Sequence, residues 1–202
     1  MALKALLFSG GLDSTCIAKI EKPDLLITVD YGQRAAQGEI AAAESIAAAL
    51  KLKHKVLIAK PVDCGQGLMA GRDQASKKFP PEWWPFRNQY LLTVAAMHIE
   101  DGSASEILIG TVSTDSQQSD GSDSFIDRFN ELLLSQKSYS SVRAPAIRMT
   151  SGQLYKMANL DPSIAGWIFS CHLSSIACGH CRGCIKSAEI VNQFREQQDR
   201  AP

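Results

Sequence analysis

Seven residues near the start, Ser9-Gly10-Gly11-Leu12-Asp13-Ser14-Thr15, stand between an apolar run, Leu3 to Phe8, and a stretch of helical character from about Asp13 to Ile20. Two adjacent glycines let a backbone turn sharply, so the segment reads as strand, tight turn and helix. The alternation then continues. Leu25 to Asp30, after Pro23, is a strand with β-branched residues, Glu39 to Leu50 is an alanine-rich helix, and His54 to Ala59 is a third strand. Parallel neighbours need crossover connections, and this β-α-β-α-β order predicts an α/β fold with a parallel sheet and helices on both faces.

From Pro61 to Pro85 the pattern gives way to Gly, Pro and polar residues, a stretch longer than an ordinary connection and expected to be a functional loop or lid. Trp83 and Trp84 near its end read as lid packing. Beyond it, Arg87 to Glu100 is a predicted helix and Glu106 to Gly110 a fourth strand. Phe125 to Leu134 is a helix with Phe125, Phe129, Leu132 and Leu133 on its core face, and Met149 to Ala158 is another helix. The Ser/Asp/Gln-rich segment Thr111 to Asp123 is expected to leave a strand at its C-terminal end, where such sheets place ligands. A chain of 202 residues predicts one domain over 1–202. Lys plus Arg and Asp plus Glu are both 21, so no overall field draws it to nucleic acid or an anionic membrane. The short apolar start runs into a turn rather than a cleavage site, and no apolar stretch approaches the roughly 18 residues of a membrane span. The expectation is a cytoplasmic protein with a small-molecule partner.

The turn has its own chemistry. Backbone N–H groups at a glycine turn and the following helix N-terminus attract an anion, and the hydroxyls of Ser9, Ser14 and Thr15 can donate to phosphate oxygens. The lysine of a Walker loop is absent, so pyrophosphate as leaving group suits the turn better than γ-phosphoryl transfer. Asp13 would hold Mg²⁺ or cap the helix, since it cannot face a phosphate directly. Arg87, at a helix start where a cation gains nothing from the dipole, is expected to serve a phosphate or carboxylate. Tyr31 and Gln33 follow the second strand at the expected mouth of the sheet, which makes them candidate nucleotide contacts. Cys171, Cys178, Cys181 and Cys184, spaced C-x6-C-x2-C-x2-C, can wrap one tetrahedral ion; a zinc site and an iron–sulfur cluster are both open on spacing alone. His172 and His180 read as exposed loop histidines, and Cys16 and Cys64 as unreactive core or loop residues.

The heptapeptide resembles the SGGxDS signature of PP-loop ATP pyrophosphatases, whose fold is a Rossmann-type parallel sheet. Within that group, Asp30-Tyr31-Gly32-Gln33-Arg34, Arg87-Asn88, Gly110 with Thr114-Asp115 beyond it, and the terminal cysteines resemble the QueC family over nearly the whole chain. The resemblance implies a C-terminal four-cysteine zinc knuckle at 171–184, ATP with Mg²⁺ as cofactors, and adenylation of 7-carboxy-7-deazaguanine followed by ammonia capture to amide and nitrile. It implies nucleotide contacts from Phe8, Ser9, Gly10, Gly11, Leu12, Asp13, Ser14, Thr15, Asp30, Tyr31, Gln33, Arg87 and Gly110, with Ser9, Asp13 and Arg87 catalytic. The chain departs from the family pattern at Ala35 and Ala36, at Phe86, at Ser119 to Asp123 and at Ser151, which keeps an amine on another protein open as the acceptor, as in an anti-phage enzyme. A tRNA-modifying thiolase and a non-catalytic zinc-stapled nucleotide-binding module are the other readings, and a homodimer is compatible with all of them.

Overall fold

A computed structural model describes residues 2–61, 64–73, 76–78, 80–101, 105–115 and 119–199, so parts of the long loop and of the Thr111 to Asp123 segment lie outside the described residues. The chain opens with β1 (Leu3–Leu7), α1 (Leu12–Glu21), β2 (Leu25–Asp30), α2 (Ala36–Leu50) and β3 (His54–Ile58). Then come a short α3 (Gly67–Ala70), α4 (Arg87–Ile99) and β4 (Ser105–Leu108), followed by two 3-10 turns at Ser113–Asp115 and Ser119–Gly121. The chain continues with α5 (Asp123–Ser135), β5 (Ser140–Arg143), α6 (Ser151–Ala158), α7 (Pro162–Ala165) and α8 (Arg182–Asp199). The strands form one sheet in the order β3-β2-β1-β4-β5, every pair parallel.

The period-2 alternation of β1 explains the two layers of helices. Leu6 and Phe8 face a cluster built with Leu12, Cys16 and Ile17 of α1, Ile46 of α2 and Leu154 of α6. Ala5 and Leu7 face the opposite cluster, which α4 supplies with Leu92, Ala95 and Ile99 and α5 with Ile126, Phe129 and Leu133. Thr28, fully buried between strands, donates from Oγ1 to Phe8 O at 2.5 Å and lies 2.8 Å from His54 Nε2. Its one proton is spent on the carbonyl, so His54 donates from Nε2, and β1, β2 and β3 are tied at this level. On the other side Arg143 of β5 grips Glu21 of α1 with two bonds of 3.0 and 2.9 Å, and Glu106 of β4 at 2.8 Å.

One expectation needs correction, and two further elements carry little apolar signal in the sequence. The α5 stripe is Ile126, Phe129 and Leu133, with Phe125 packed at its margin, whereas Leu132 is 42% exposed because it sits about 100° round the helix from Leu133, past the edge of the stripe. β5 carries only one large apolar residue, Val142, which hides it from a hydrophobicity pattern. α8 is rich in Arg, Glu and Gln and, among the described residues, packs on the core through Ile190, Val191 and Phe194. Among the described residues no helix is long and apolar enough to cross a membrane.

Candidate active site

The strand order changes direction at β1, whose neighbours β2 and β4 connect to opposite sides of the sheet, and loops leaving the C-terminal ends there diverge. A cavity of about 300 Å³ opens at that point, floored by Leu7 and Phe8, by Ile27 to Val29, and by Ile109 to Thr111.

At its centre is the glycine turn. Gly10 has φ +70°, a conformation glycine adopts without strain, and a Cβ there would lie 2.8 Å from Ala43 N of α2. Its role is therefore to let the turn pack against α2. Gly11 has no side chain with which to cap α1, and Gly11, Leu12, Asp13 and Ser14 of this first turn line the cavity. Ser9 Oγ accepts from Gly11 N at 3.3 Å and lies 3.4 Å from Ser14 Oγ, which donates to Gly11 O at 3.2 Å. Both hydroxyls line the cavity.

The C-terminal segment docks on this turn from 158 residues away in sequence. Phe169 N donates to Gly10 O at 3.0 Å, and Leu12 N donates to Ser170 Oγ at 3.4 Å. Behind them Lys186 of α8 reaches Asp13 Oδ2 at 3.0 Å. Asp13 Oδ1 is buried with no hydrogen-bond partner, an orphaned carboxylate oxygen that fits the coordination of a hard divalent cation.

A second group of side chains faces the same cavity from β2, α2 and α4. Trp84 packs edge-on to Tyr31, with ring centroids 4.9 Å apart, and fills the space over Gly65, where a Cβ would meet the indole at 2.5 Å. That contact folds the described part of the long loop down, and Met69 of α3 joins the cavity wall. Phe86 stands before α4 with φ +56°, and the next residue, Arg87, aims its guanidinium inward. Arg87 donates to Asn88 Oδ1 at 3.4 Å and to Met69 Sδ at 3.3 Å and also bonds the Tyr31 side chain, and no described carboxylate lies within ion-pair distance of it. Burial pushes the Tyr31 hydroxyl well above its ordinary range, with Arg87 acting in the opposite sense. Asn88 is fixed by Asp120, which accepts from its backbone N–H at 3.1 Å and through its own carbonyl from Nδ2 at 2.9 Å.

Glu39 is half-buried at the start of α2. Desolvation pushes its carboxyl up to about 7, against the opposing pull of a hydrogen bond from Gln33 and of the Arg87 charge. The other two carboxylates lining the cavity are neutralised, Asp13 by Lys186 and Glu82 by Arg182 at 3.4 Å.

The sulfur atoms of Cys171, Cys178, Cys181 and Cys184 all lie within 4.8 Å of one another, with Cys178 and Cys184 4.0 Å apart. Tetrahedral thiolates about 2.3 Å from one zinc stand about 3.8 Å apart, so the cluster fits one ion. A multi-iron cluster must admit several metal and sulfide ions between its thiolates and needs wider separations. Backbone N–H groups of His172, Leu173 and Cys184 point at the Cys181 and Cys171 sulfurs from 3.4 to 3.5 Å.

Of the residues singled out in the sequence, Phe8, Ser9, Gly11, Leu12, Asp13, Ser14, Tyr31, Arg87 and Gly110 line the cavity together. Gly10, Thr15, Asp30 and Gln33 do not. Thr15 is fully buried beneath the turn. Asp30 shapes the β2–α2 connection, accepting from Gly32 N at 3.0 Å and pairing with Lys60 at 3.0 Å. Gln33 is spent on Tyr31 N, Val29 O and Glu39. His172 is not an exposed loop residue but part of the cavity wall, its ring packed beside Gly183, and burial lowers its pKa. His180 is exposed, as is Cys64, while Cys16 is buried in the core. Sequence reasoning missed Glu39, Glu82, Ser170 and Lys186; the nearness of Lys186 to the last cysteine was the one available signal.

Residues 4–194 match the family model described as queuosine biosynthesis protein QueC. A protein of Methanothrix thermoacetophila named 7-cyano-7-deazaguanine synthase is 31% identical, the alignment covering 88% of each chain. Proteins with the same name from Syntrophobacter fumaroxidans and Campylobacter jejuni are 28% and 27% identical, covering 89% and 92% of this chain and 87% and 92% of theirs.

Proposed function

This chain belongs to the QueC family, and on that footing we propose that it is an ATP-dependent synthase that adenylates 7-carboxy-7-deazaguanine, releases pyrophosphate and captures the activated acid with ammonia. One observation carries the proposal. The glycine turn, the Asp13–Lys186 pair and Arg87, which has no carboxylate partner among the described residues, face a single cavity.

In this reading the N–H groups of the turn and the Ser9 and Ser14 hydroxyls hold the phosphates, which gather negative charge as pyrophosphate leaves. Phe8, Leu12, Tyr31 and Gly110 frame the nucleotide at the switch point of the sheet. Asp13 Oδ1, with Oδ2 anchored by Lys186, would hold Mg²⁺, which supplies charge neutralisation along the phosphates when bound. Arg87, lacking a protein carboxylate, offsets the charge of the substrate acid beside the α-phosphate. A substrate carboxylate oxygen attacks the α-phosphorus and the bond to pyrophosphate breaks. Ammonia then attacks the acyl carbon and expels AMP, giving the amide. A second ATP then adenylates the amide oxygen with release of pyrophosphate, and loss of AMP and a proton leaves the nitrile. The described part of the long loop, held by Trp84, limits water entry, which would otherwise return the adenylate to acid.

The test is mass spectrometry of the purified protein with Mg-ATP and 7-carboxy-7-deazaguanine, with and without ammonia. Ammonia-dependent amide and nitrile are expected, and a product that stops at the amide would remove the nitrile step. If Asp13→Ala and Ser9→Ala leave acid-dependent pyrophosphate release unchanged, the turn is not the site of ATP cleavage.

A further inference from the structure

Glu39 stands out because it is the carboxylate of the cavity wall that carries no ion pair among the described residues. Gln33 Nε2 donates to its Oε2 at 2.7 Å. Gln33 is itself buried and held at both ends of its amide, by Tyr31 N at 2.9 Å and Val29 O at 3.2 Å. The carboxyl is therefore aimed by a locked side chain, and its Oε1 makes no hydrogen bond to any described residue. An unsatisfied, pre-aimed acceptor in a cavity of this kind calls for donors on the ligand.

The surroundings define which donors. Apolar side chains of Met69, Leu91, Ile109 and Phe169 line the same cavity and suit the faces of a flat ring, leaving its edge to polar groups. Desolvation raises this carboxyl, but paired N–H donors beside it favour the ionised form, which accepts at both oxygens. The adenine of ATP offers one N–H donor beside a ring-nitrogen acceptor, which a carboxylate would repel. A 2-amino-pyrimidinone edge, as in a guanine-type base, offers two adjacent N–H donors and no such conflict.

We infer that Glu39 is the specificity-determining residue for the acid substrate, its carboxylate accepting from the ring N–H and the 2-amino group of a guanine-type heterocycle, with Gln33 as its positioning residue. This rests on the deazaguanine reading above and adds the group that recognises the ring. A site built around such an acceptor rejects an analogue lacking the donor by a large factor, because the carboxylate is then left unpaired.

The experiment measures KM for 7-carboxy-7-deazaguanine and for its analogue without the 2-amino group, in the wild-type protein and in Glu39→Gln and Glu39→Asp, by acid-dependent pyrophosphate release. Wild-type protein is expected to prefer the amino compound by about 100-fold in kcat/KM. In Glu39→Gln the preference falls below about tenfold while KM for ATP stays within twofold; Glu39→Asp, which keeps the charge, retains part of it. A preference that survives intact in Glu39→Gln overturns the inference, and so does a rise confined to the KM for ATP, which would put the carboxyl against adenine. Wild-type protein that turns over neither acid removes the deazaguanine reading and this inference with it, an outcome distinct from turnover without discrimination.

Discussion

Gly183→Ala probes the contact that holds the cysteine knuckle against the glycine turn. A Cβ at Gly183 would overlap the carbonyl oxygen of Ser170 and lie 2.8 Å from His172 Nε2. Neither neighbour yields easily. Ser170 Oγ is bonded to Leu12 N, Phe169 N to Gly10 O, and Cys171 begins the metal cluster. Restoring an ordinary separation of about 3.5 Å means moving this strip by more than about 1 Å. Overpacking of that kind costs about 1–3 kcal/mol, and for a chain of this size about 2 kcal/mol lowers the melting temperature by roughly 4–8 °C. A displacement of about 1 Å at a reacting centre costs on the order of 100-fold in rate. The variant should therefore melt early and lose about two orders of magnitude in kcat/KM for acid-dependent pyrophosphate release. Gly152→Ala is the control, since a Cβ there meets nothing within 4 Å inside α6; it should stabilise by roughly 0.5–1 kcal/mol with unchanged activity. If Gly183→Ala melts with the wild type and keeps kcat/KM within twofold, the docking argument is wrong.

Lys186→Met leaves Asp13 without its cation, and pyrophosphate release should fall about 10- to 100-fold while Lys186→Arg recovers most of it; equal rates in all three would dismiss the pair. Glu21 is held below its ordinary value of 4.5, first by the hydrogen bond from Arg143, so its contribution is present above that value and disappears as pH falls through the folded one. Urea midpoints should accordingly show Glu21→Gln about 1 kcal/mol less stable at pH 7 and the gap closing towards pH 3 (roughly, from the charge-assisted bonds involved); a gap constant with pH would contradict the assignment. The purified protein should carry about one zinc per chain, and stripping it with a strong chelator should lower the melting temperature and abolish turnover, since Phe169 to Cys171 link the knuckle to the turn. A metal-free protein with an unaltered melt would refute this.

Much of the site was legible before the structure, for a local reason. Glycines that must turn, hydroxyls beside them and an acid two residues on are neighbours in sequence and remain neighbours in space. The same holds for four cysteines within 14 positions, counted inclusively from Cys171 to Cys184. Gln33 shows where this logic stops. Its place after β2 suggests a nucleotide contact, yet an amide three residues beyond a buried strand end first satisfies the backbone, and here it bonds Tyr31 N and Val29 O. Asp30 is likewise consumed by the turn it begins and by Lys60. Leu132 was misassigned because a leucine counts as core in any hydrophobicity pattern, whereas Ile126 has the spacing that the sheet covers.

By itself the sequence determined the β-α alternation, the turn at Ser9 to Thr15 and the metal-binding spacing, all of which depend on backbone preferences and side chains a few residues apart. Only the tertiary structure decided that Lys186 meets Asp13, that Ser170 holds Leu12, and that Glu39 faces the cavity with no ion pair among the described residues whereas Glu82 is paired with Arg182. The physical reason is that side-chain partners follow from which strands and helices pack side by side, and that order, β3-β2-β1-β4-β5, leaves no mark on any one stretch of the chain.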